Sequence, residues 1–265
     1  MTTETDPSTE SINTRPETAS GQPPCLTHLS ASSYSTYRIG GPIQAGFLPT
    51  SIDESIAVLT NVAAQQTPLT VLGWGSNLII ASRGIEGITL ITRKMTWHEV
   101  LSQPDEPIQR VRFGAGVHLA KAATFIESLG CSGAEFMVGI PGTIGGAVRM
   151  NAGALGQETS SVVHSVDVYS LKEHKQLTLP LEALQYQYRS SAIDPRETVV
   201  LQAEMHFPKG DATQVRQTMQ NSIDFRKNHH PTEPNGGSVF KNPYPKGSEK
   251  AHQTAGWLLD QLGAK

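Results

Sequence analysis

Cysteine is nearly absent from this chain. Cys25 and Cys131 are the only two in 265 residues, no C-x-x-C occurs, and Cys131 directly follows Gly130. Neither a disulfide framework nor a thiolate metal site is implied. No apolar run reaches the roughly eighteen residues that a membrane span needs. An excess of basic charge is missing too: 21 Lys and Arg stand against 24 Asp and Glu, a formal net charge of −3, so no footprint for nucleic acid or anionic lipid is present. Met1–Glu10 contains neither a basic n-region nor an apolar h-region, so it does not read as a secretory signal, and a cytoplasmic protein is expected.

Several chemical signatures are likewise absent. There is no G-x-x-x-x-G-K-[ST], and Gly114-Ala-Gly-Val-His-Leu119 carries leucine where the third glycine of a dinucleotide fingerprint belongs. No G-x-S-x-G elbow marks a serine hydrolase. His229-His230 resembles a metal pair, but adjacent imidazoles do not share a tetrahedral ion without strain, and no Cys or carboxylate stands at suitable spacing, so no metal is expected there.

What the chain has is glycine, concentrated in one place. In Gly139-Ile-Pro-Gly-Thr-Ile-Gly-Gly-Ala-Val-Arg-Met-Asn-Ala-Gly-Ala-Leu-Gly156 six of eighteen positions are glycine and only Arg149 is charged. A plain linker would be polar. The interleaved Ile140, Ile144, Val148 and Met150 predict a packed loop whose backbone N–H groups approach a phosphate-bearing ligand, with close backbone packing alone as the plainer alternative.

The rest of the sequence gives a mixed pattern on a chain long enough for one large domain or two modest ones. Residues 1–24 are Ser-, Thr-, Glu- and Pro-rich and are expected to be disordered, as part of a tail over 1–30. Strands are expected at Ala45–Leu48, Leu69–Leu72, Leu78–Ile80, Ile88–Ile91, Arg110–Gly114, Val162–Ser170, Leu177–Leu179, Glu197–His206 and Ser238–Phe240. Helices are expected at Ile52–Ala64 with Ser51 as N-cap, at Leu119–Leu129 closed by Gly130, at Asp211–Lys227 and at Thr254–Leu262. The breaker-rich His229–Gly237 is the best boundary between domains.

Three smaller clusters carry possible chemistry. Gly73-Trp-Gly-Ser-Asn77 follows a strand and offers two glycines, a hydroxyl and an amide, which suits a pyrophosphate or ribityl chain. Tyr186-Gln-Tyr-Arg-Ser190 sets an arginine beside aromatics in an expected strand; a carboxylate clamp and a surface stack weigh equally there. Asn235-Gly-Gly-Ser-Val-Phe-Lys-Asn-Pro243 would turn Ser238 toward a cleft with Lys241 and Asn242 nearby, or form only a turn and an edge strand.

Taken in order, six segments resemble the UDP-N-acetylenolpyruvoylglucosamine reductases: Tyr34-Ser-Thr-Tyr-Arg-Ile-Gly-Gly41, Leu72–Asn77, Gly133-Ala-Glu-Phe136 with the 139–156 loop, Tyr188-Arg-Ser190, Gly237-Ser-Val-Phe-Lys-Asn-Pro243 and Ala255-Gly-Trp-Leu-Leu-Asp-Gln-Leu262. The likeness spans about residues 30–265. It implies an α+β fold: a two-part FAD-binding region of the vanillyl-alcohol-oxidase type over 31–209 (parts about 31–95 and 96–209), then a smaller α/β substrate domain from 210. It also implies FAD, NADPH as hydride donor and UDP-N-acetylglucosamine enolpyruvate as acceptor; a monomer is expected, although no residue pattern speaks to oligomeric state.

By the same resemblance Gly75, Ser76 and Asn77 match one flavin-phosphate loop, and Gly139, Ile140, Gly142, Gly145, Gly146 and Ala147 the other. Arg189 matches the arginine on the enolpyruvyl carboxylate and Ser238 the proton-donating serine. Tyr188, Arg226, His229, Lys241 and Asn242 fall at substrate-binding positions, with His229 standing where the family's Arg-x-x-Lys pattern has lysine. The Arg189–Ser238 spacing resembles the shorter subtype. The family continues through a His-Ala-Asn-Phe segment to a catalytic glutamate. Here the sequence stops at Lys265, so the expectation is either a fragment or a form lacking that group. A non-catalytic flavin or nucleotide-sugar binder is the competing reading, and a flavin oxidase the third.

Overall fold

The computed structural model describes residues 21–244 and 247–264. Of the tail expected over 1–30, residues 1–20 lie outside the described residues, whereas Leu26 bridges Gly46 and Leu29–Ser30 forms a short strand, so the last part is held by backbone pairing to the strand that follows. In chain order the strands are β1 (Leu29–Ser30), β2 (Pro42–Phe47), β3 (Leu69–Leu72), β4 (Ile85–Ile91), β5 (His98–Val100), β6 (Ile108–Gly114), β7 (Gly153–Ala154), β8 (Gln157–Glu158), β9 (Val163–Ser170), β10 (Lys175–Pro180) and β11 (Thr198–Pro208). The helices are α1 (Ile52–Gln65), α2 (Leu119–Ser128), α3 (Ile144–Met150), α4 (Ala212–His229) and α5 (Ala255–Gln261).

Two main sheets divide the chain. The first, ordered β1-β2-β4-β3, is parallel across β2, β4 and β3, with β1 added antiparallel at its edge. The second, ordered β10-β9-β11-β6-β5, is antiparallel throughout. One apolar core joins them: Val58, Leu59 and Val62 of α1 belong to the same buried cluster as Phe113 of β6, Ile126 of α2, and Val166 and Phe207 on the antiparallel sheet. A smaller cluster of Ala31, Ile43, Leu72, Ile80 and Ile91 lies within the parallel part.

Local chemistry accounts for the helix ends. Ser51 Oγ accepts the Glu54 N–H while the Glu54 carboxylate reaches back to the Thr50 N–H, so two of the free donors at the start of α1 are satisfied. His118 Nδ1 does the same for α2 by accepting from Ala120 N–H, and Gly130, at φ +68°, ends that helix in the left-handed region. Thr143 Oγ1 accepts from Gly146 N–H at the start of α3.

Three expected strands do not form. Leu78–Ile80 is irregular, with Ile79 71% exposed, because β4 takes the place between β2 and β3. Tyr186–Ser190 is a tight turn closed by a Gln187–Ser190 bridge, since Arg189 sits at φ +57°, which extended backbone does not allow. Ser238–Phe240 finds no partner strand among the described residues, and Val239 and Phe240 are exposed. Conversely, α3 forms inside the glycine-rich loop despite two glycines of poor helix propensity, because tertiary bonds hold its first turn to the sheet: Ile144 N–H donates to Val117 O, and Gly145 N–H to Ala115 O. Among the described residues no helix is long and apolar enough to cross a membrane.

Candidate active site

The end of β3 and the start of α3 meet edge to edge. After Leu72 the chain turns through Gly73–Asn77, and Ser76 Oγ donates to Pro141 O at 2.7 Å, across 65 residues. A Cβ on Gly73 would stand 2.6 Å from Thr143 Oγ1, so the two turns pack against each other with no room for a side chain. Gly75 is fixed more tightly still. It sits at φ +63°, and a Cβ there would lie 2.0 Å from Tyr34 O. Of the nine matched loop residues, Gly75, Ser76, Asn77, Gly139, Ile140, Gly142, Gly146 and Ala147 line one cavity of about 670 Å³. Gly145 does not line it; its Cβ position is 3.0 Å from Ala115 Cβ, and the residue serves helix-to-sheet packing instead.

Arg93 completes this corner, and the sequence offered no motif to announce it. Its guanidinium donates from Nε to Gly73 O (3.1 Å), from Nη1 to Ser33 O (3.1 Å) and from Nη2 to Trp74 O (3.2 Å). It also lies 5.0 Å from the Tyr34 ring and 4.7 Å from the Trp74 ring. A planar, permanently charged fork can gather carbonyls from two segments in this way, whereas an ammonium cannot. Burial lowers its pKa from the ordinary arginine value.

The opposite wall comes from three further segments. Arg189 donates from Nη2 to Gly153 O (2.7 Å) and from Nη1 to Asn151 O (3.4 Å), and its guanidinium stacks 5.0 Å from the Tyr188 ring. Asn151 Nδ2 donates to Gln187 O, which clips the Tyr188–Arg189 turn onto the end of α3. Arg226, on the last part of α4, donates from Nη1 to Gly139 O at 2.5 Å. Gly236 closes against the Tyr37 ring, which brings Ser238, Lys241 and Asn242 to the cavity edge, where all three are exposed. Asn242 Oδ1 already accepts from Ala255 N–H just inside α5.

Tyr188, Arg189, Arg226, Ser238, Lys241 and Asn242 therefore share the cavity with the two loops. His229 does not join them. Its Nδ1 meets Phe225 O at 2.8 Å and its ring stacks on Phe225, so helical geometry turns it away; His230, one residue on, takes the place at the cavity. Arg149 is another lining residue that sequence patterning did not single out. Its Nε is buried without a hydrogen-bond partner among the described residues, while Nη1 contacts Met150 Sδ at 3.0 Å.

The cavity's chemistry fits a phosphate-bearing cofactor. The N–H groups of Ser76, Asn77 and Gly142 have no hydrogen-bond partner among the described residues, and a Cβ on Gly146 would meet nothing nearer than Thr143 Oγ1 at 3.7 Å. Free amides beside side-chain-free backbone form an anion-accepting surface. The volume is also within the usual range for small-molecule sites.

Comparison with known proteins agrees with this geometry. A family profile described as an FAD binding domain matches residues 43–174. The UDP-N-acetylenolpyruvoylglucosamine reductase of Bacillus pumilus is 35% identical over 241 residues, covering 90% of this chain and 77% of that protein. Among solved structures, the UDP-N-acetylenolpyruvylglucosamine reductase of Thermus caldophilus superposes with a TM-score of 0.72 at 25% identity, covering 91% of this chain and 81% of that one. A VAO-type flavoprotein from Myceliophthora thermophila shares the fold alone, with a TM-score of 0.50 at 14% identity over 64% of this chain and 32% of its own. The α+β fold is thus that of the vanillyl-alcohol-oxidase-like flavoproteins, and the chain belongs to the UDP-N-acetylenolpyruvoylglucosamine reductase family.

Proposed function

We propose that the protein is an FAD-dependent oxidoreductase that uses NADPH to reduce UDP-N-acetylglucosamine enolpyruvate to UDP-N-acetylmuramate, a precursor of peptidoglycan. The observation that carries this reading is the convergence of both glycine turns, Arg189 and the Ser238 segment on one cavity. Residues 31–209, which contain both main sheets apart from the edge strand β1, are read as the FAD-binding region, and those from 210 onward as the start of the substrate domain. A cytoplasmic location follows from the substrate, because a charged nucleoside-diphosphate sugar does not cross a bilayer unaided.

Bound in the cavity, FAD would supply the hydride chemistry, with NADPH as the hydride source and the enolpyruvyl double bond as acceptor. The free amides of Ser76, Asn77 and Gly142 would hold its diphosphate, with Gly75, Gly139, Ile140, Gly146 and Ala147 giving backbone access. Arg189 takes the substrate carboxylate. Its two bonded N–H groups fix the fork on Gly153 and Asn151, and the remaining donors face negative charge as it spreads into that carboxylate. Ser238 Oγ donates the proton that the substrate's α-carbon takes up. A serine hydroxyl is a weak acid, so this step requires a strongly basic carbon and the exclusion of water. Tyr188, Arg226, Lys241 and Asn242 contribute the remaining polar contacts to substrate.

Anaerobic mixing tests the assignment. NADPH should bleach the yellow protein and the enolpyruvyl substrate should restore its colour. A preparation that takes up no FAD, or one that NADPH bleaches but the substrate leaves bleached, would overturn it.

A further inference from the structure

On the solvent face of the antiparallel sheet, apart from the cavity, two histidines and a carboxylate converge. Glu204 and His206 are two residues apart on β11 and so point to the same side, while Ala203, Met205 and Phe207 between and around them are buried in the core. His164 reaches that side through an irregularity in β9. Ser165 pairs with Glu204 and Val163 with Met205, so His164 is the extra residue of a β-bulge. A regular strand would have alternated it differently relative to β11; the bulge lets His164 and Ser165 both face outward between buried Val163 and Val166.

The resulting geometry is close. The His164 and His206 rings lie face to face, with centroids 4.2 Å apart and planes 12° from parallel. His206 Nε2 is 3.0 Å from Glu204 Oε1. One ligand-capable atom from each of the three residues falls within 4.8 Å of the others. Glu204 Oε2 is engaged by Arg112 Nη2 at 3.4 Å, which leaves Oε1 on the histidine side, and Arg112 is balanced in turn by Glu99 at 3.1 Å. The local charge is therefore not dominated by the arginine.

We propose that His164, Glu204 and His206 form a Zn²⁺ site that clamps β9 to β11 at the bulge. Two imidazole nitrogens and one carboxylate oxygen are the donor set that Zn²⁺ takes with water in its fourth position. Mg²⁺ and Ca²⁺ are disfavoured because hard cations require mostly oxygen ligands. No motif announces this group. His164 stands 40 and 42 residues before Glu204 and His206 and is brought to them by strand pairing rather than by spacing, whereas the adjacent pair His229-His230 places one ring on Phe225 and the other at the cavity. None of the three residues lines the cavity that holds the reacting groups.

The test is calorimetric titration of the FAD-loaded full chain with ZnCl₂ in excess MgCl₂, on the wild type and on H164Q, H206Q and H230Q. The wild type should bind one equivalent at this site and gain thermal stability. H164Q and H206Q should each weaken that binding by at least about tenfold, since losing even an outer contact to a ligand costs that much, and H230Q should leave it unchanged. Absence of saturable binding, or wild-type affinity in either H164Q or H206Q, would overturn the proposal. Should a variant fail to fold, Zn-edge X-ray absorption of the wild type decides: two imidazole ligands sustain the site, and fewer than two sink it.

Discussion

Ser76 Oγ donates a 2.7 Å hydrogen bond to Pro141 O, and this single contact ties the turn after the parallel sheet's edge strand to the turn that opens α3. Each turn alone is an ordinary glycine-rich connection. Joined, they present unpaired amides to one cavity. Ser76→Ala removes the donor and leaves a half-buried carbonyl without its partner, a loss of about 0.5–1.5 kcal/mol. FAD affinity should fall by up to roughly tenfold while the fold persists, as followed by flavin fluorescence. Unchanged affinity would mean the two turns are held by packing alone.

Arg93 should matter more to FAD than its distance in sequence from any glycine motif suggests. Arg93→Met deletes three carbonyl contacts at once, and the guanidinium is only partly buried, so a destabilisation of about 1–3 kcal/mol is expected. Arg93→Lys should recover little, because an ammonium lacks the planar fork. Full recovery of FAD binding and denaturation midpoint in the lysine variant would show that charge alone is needed.

Two glycines should behave in opposite ways. Gly75→Ala drives a Cβ toward Tyr34 O in a left-handed backbone and should impair folding, seen as a lowered denaturation midpoint of the apoprotein. Gly146→Ala meets no protein atom closer than 3.7 Å and should fold normally, losing FAD affinity only. Normal FAD binding by folded Gly146→Ala would remove that position from the cofactor surface.

Ser238→Ala separates the two half-reactions. Bleaching by NADPH should stay near normal, while recovery on adding substrate slows by roughly 10²–10⁴-fold, the usual worth of a positioned general acid. Equal slowing of both in stopped-flow traces would make Ser238 a structural residue.

The His118 imidazole gives a pH signature. Burial, with Lys121 nearby, lowers its pKa from the ordinary value of 6.5, and its unprotonated Nδ1 accepts the Ala120 N–H at the start of α2. The unfolded chain takes the proton first as pH falls, so this part of the stability is present above about pH 6.5 and is lost between there and the lowered folded value. His118→Asn keeps an acceptor at the N-cap without the titration. Its denaturation midpoint should decline less than that of the wild type between pH 7 and pH 5. Parallel declines in the two proteins would exclude His118 as the source.

Much of the architecture is written locally. Ser51 followed by Asp53 and Glu54 sets the start of α1, Gly130 ends α2, and the apolar run Leu69–Leu72 is the observed strand without change of bounds. These features depend on caps, glycine φ angles and short periodicities, all of which act within a few residues. The two glycine turns, Arg189 and Ser238 are legible for a related reason: ligand chemistry demands particular residue types in compact motifs.

Only the tertiary structure decided the rest. Leu78–Ile80 has the composition of a strand and does not become one, because β4 occupies the place beside β3. Gly145 and Gly146 look interchangeable in sequence, yet one faces Ala115 and the other the cavity. His229 is turned onto Phe225 by the last turn of α4, and His230 replaces it. Arg93 and the His164–Glu204–His206 cluster have no sequence signature, because their partners come from segments 19 to 60 residues away in the first case and from a bulged strand pair in the second. Sequence specifies the short-range conformational preferences and the reactive groups in this chain. Which groups face one another depends on how the sheets pair and where the core closes, since those long-range contacts are chosen by burial of the whole apolar surface at once.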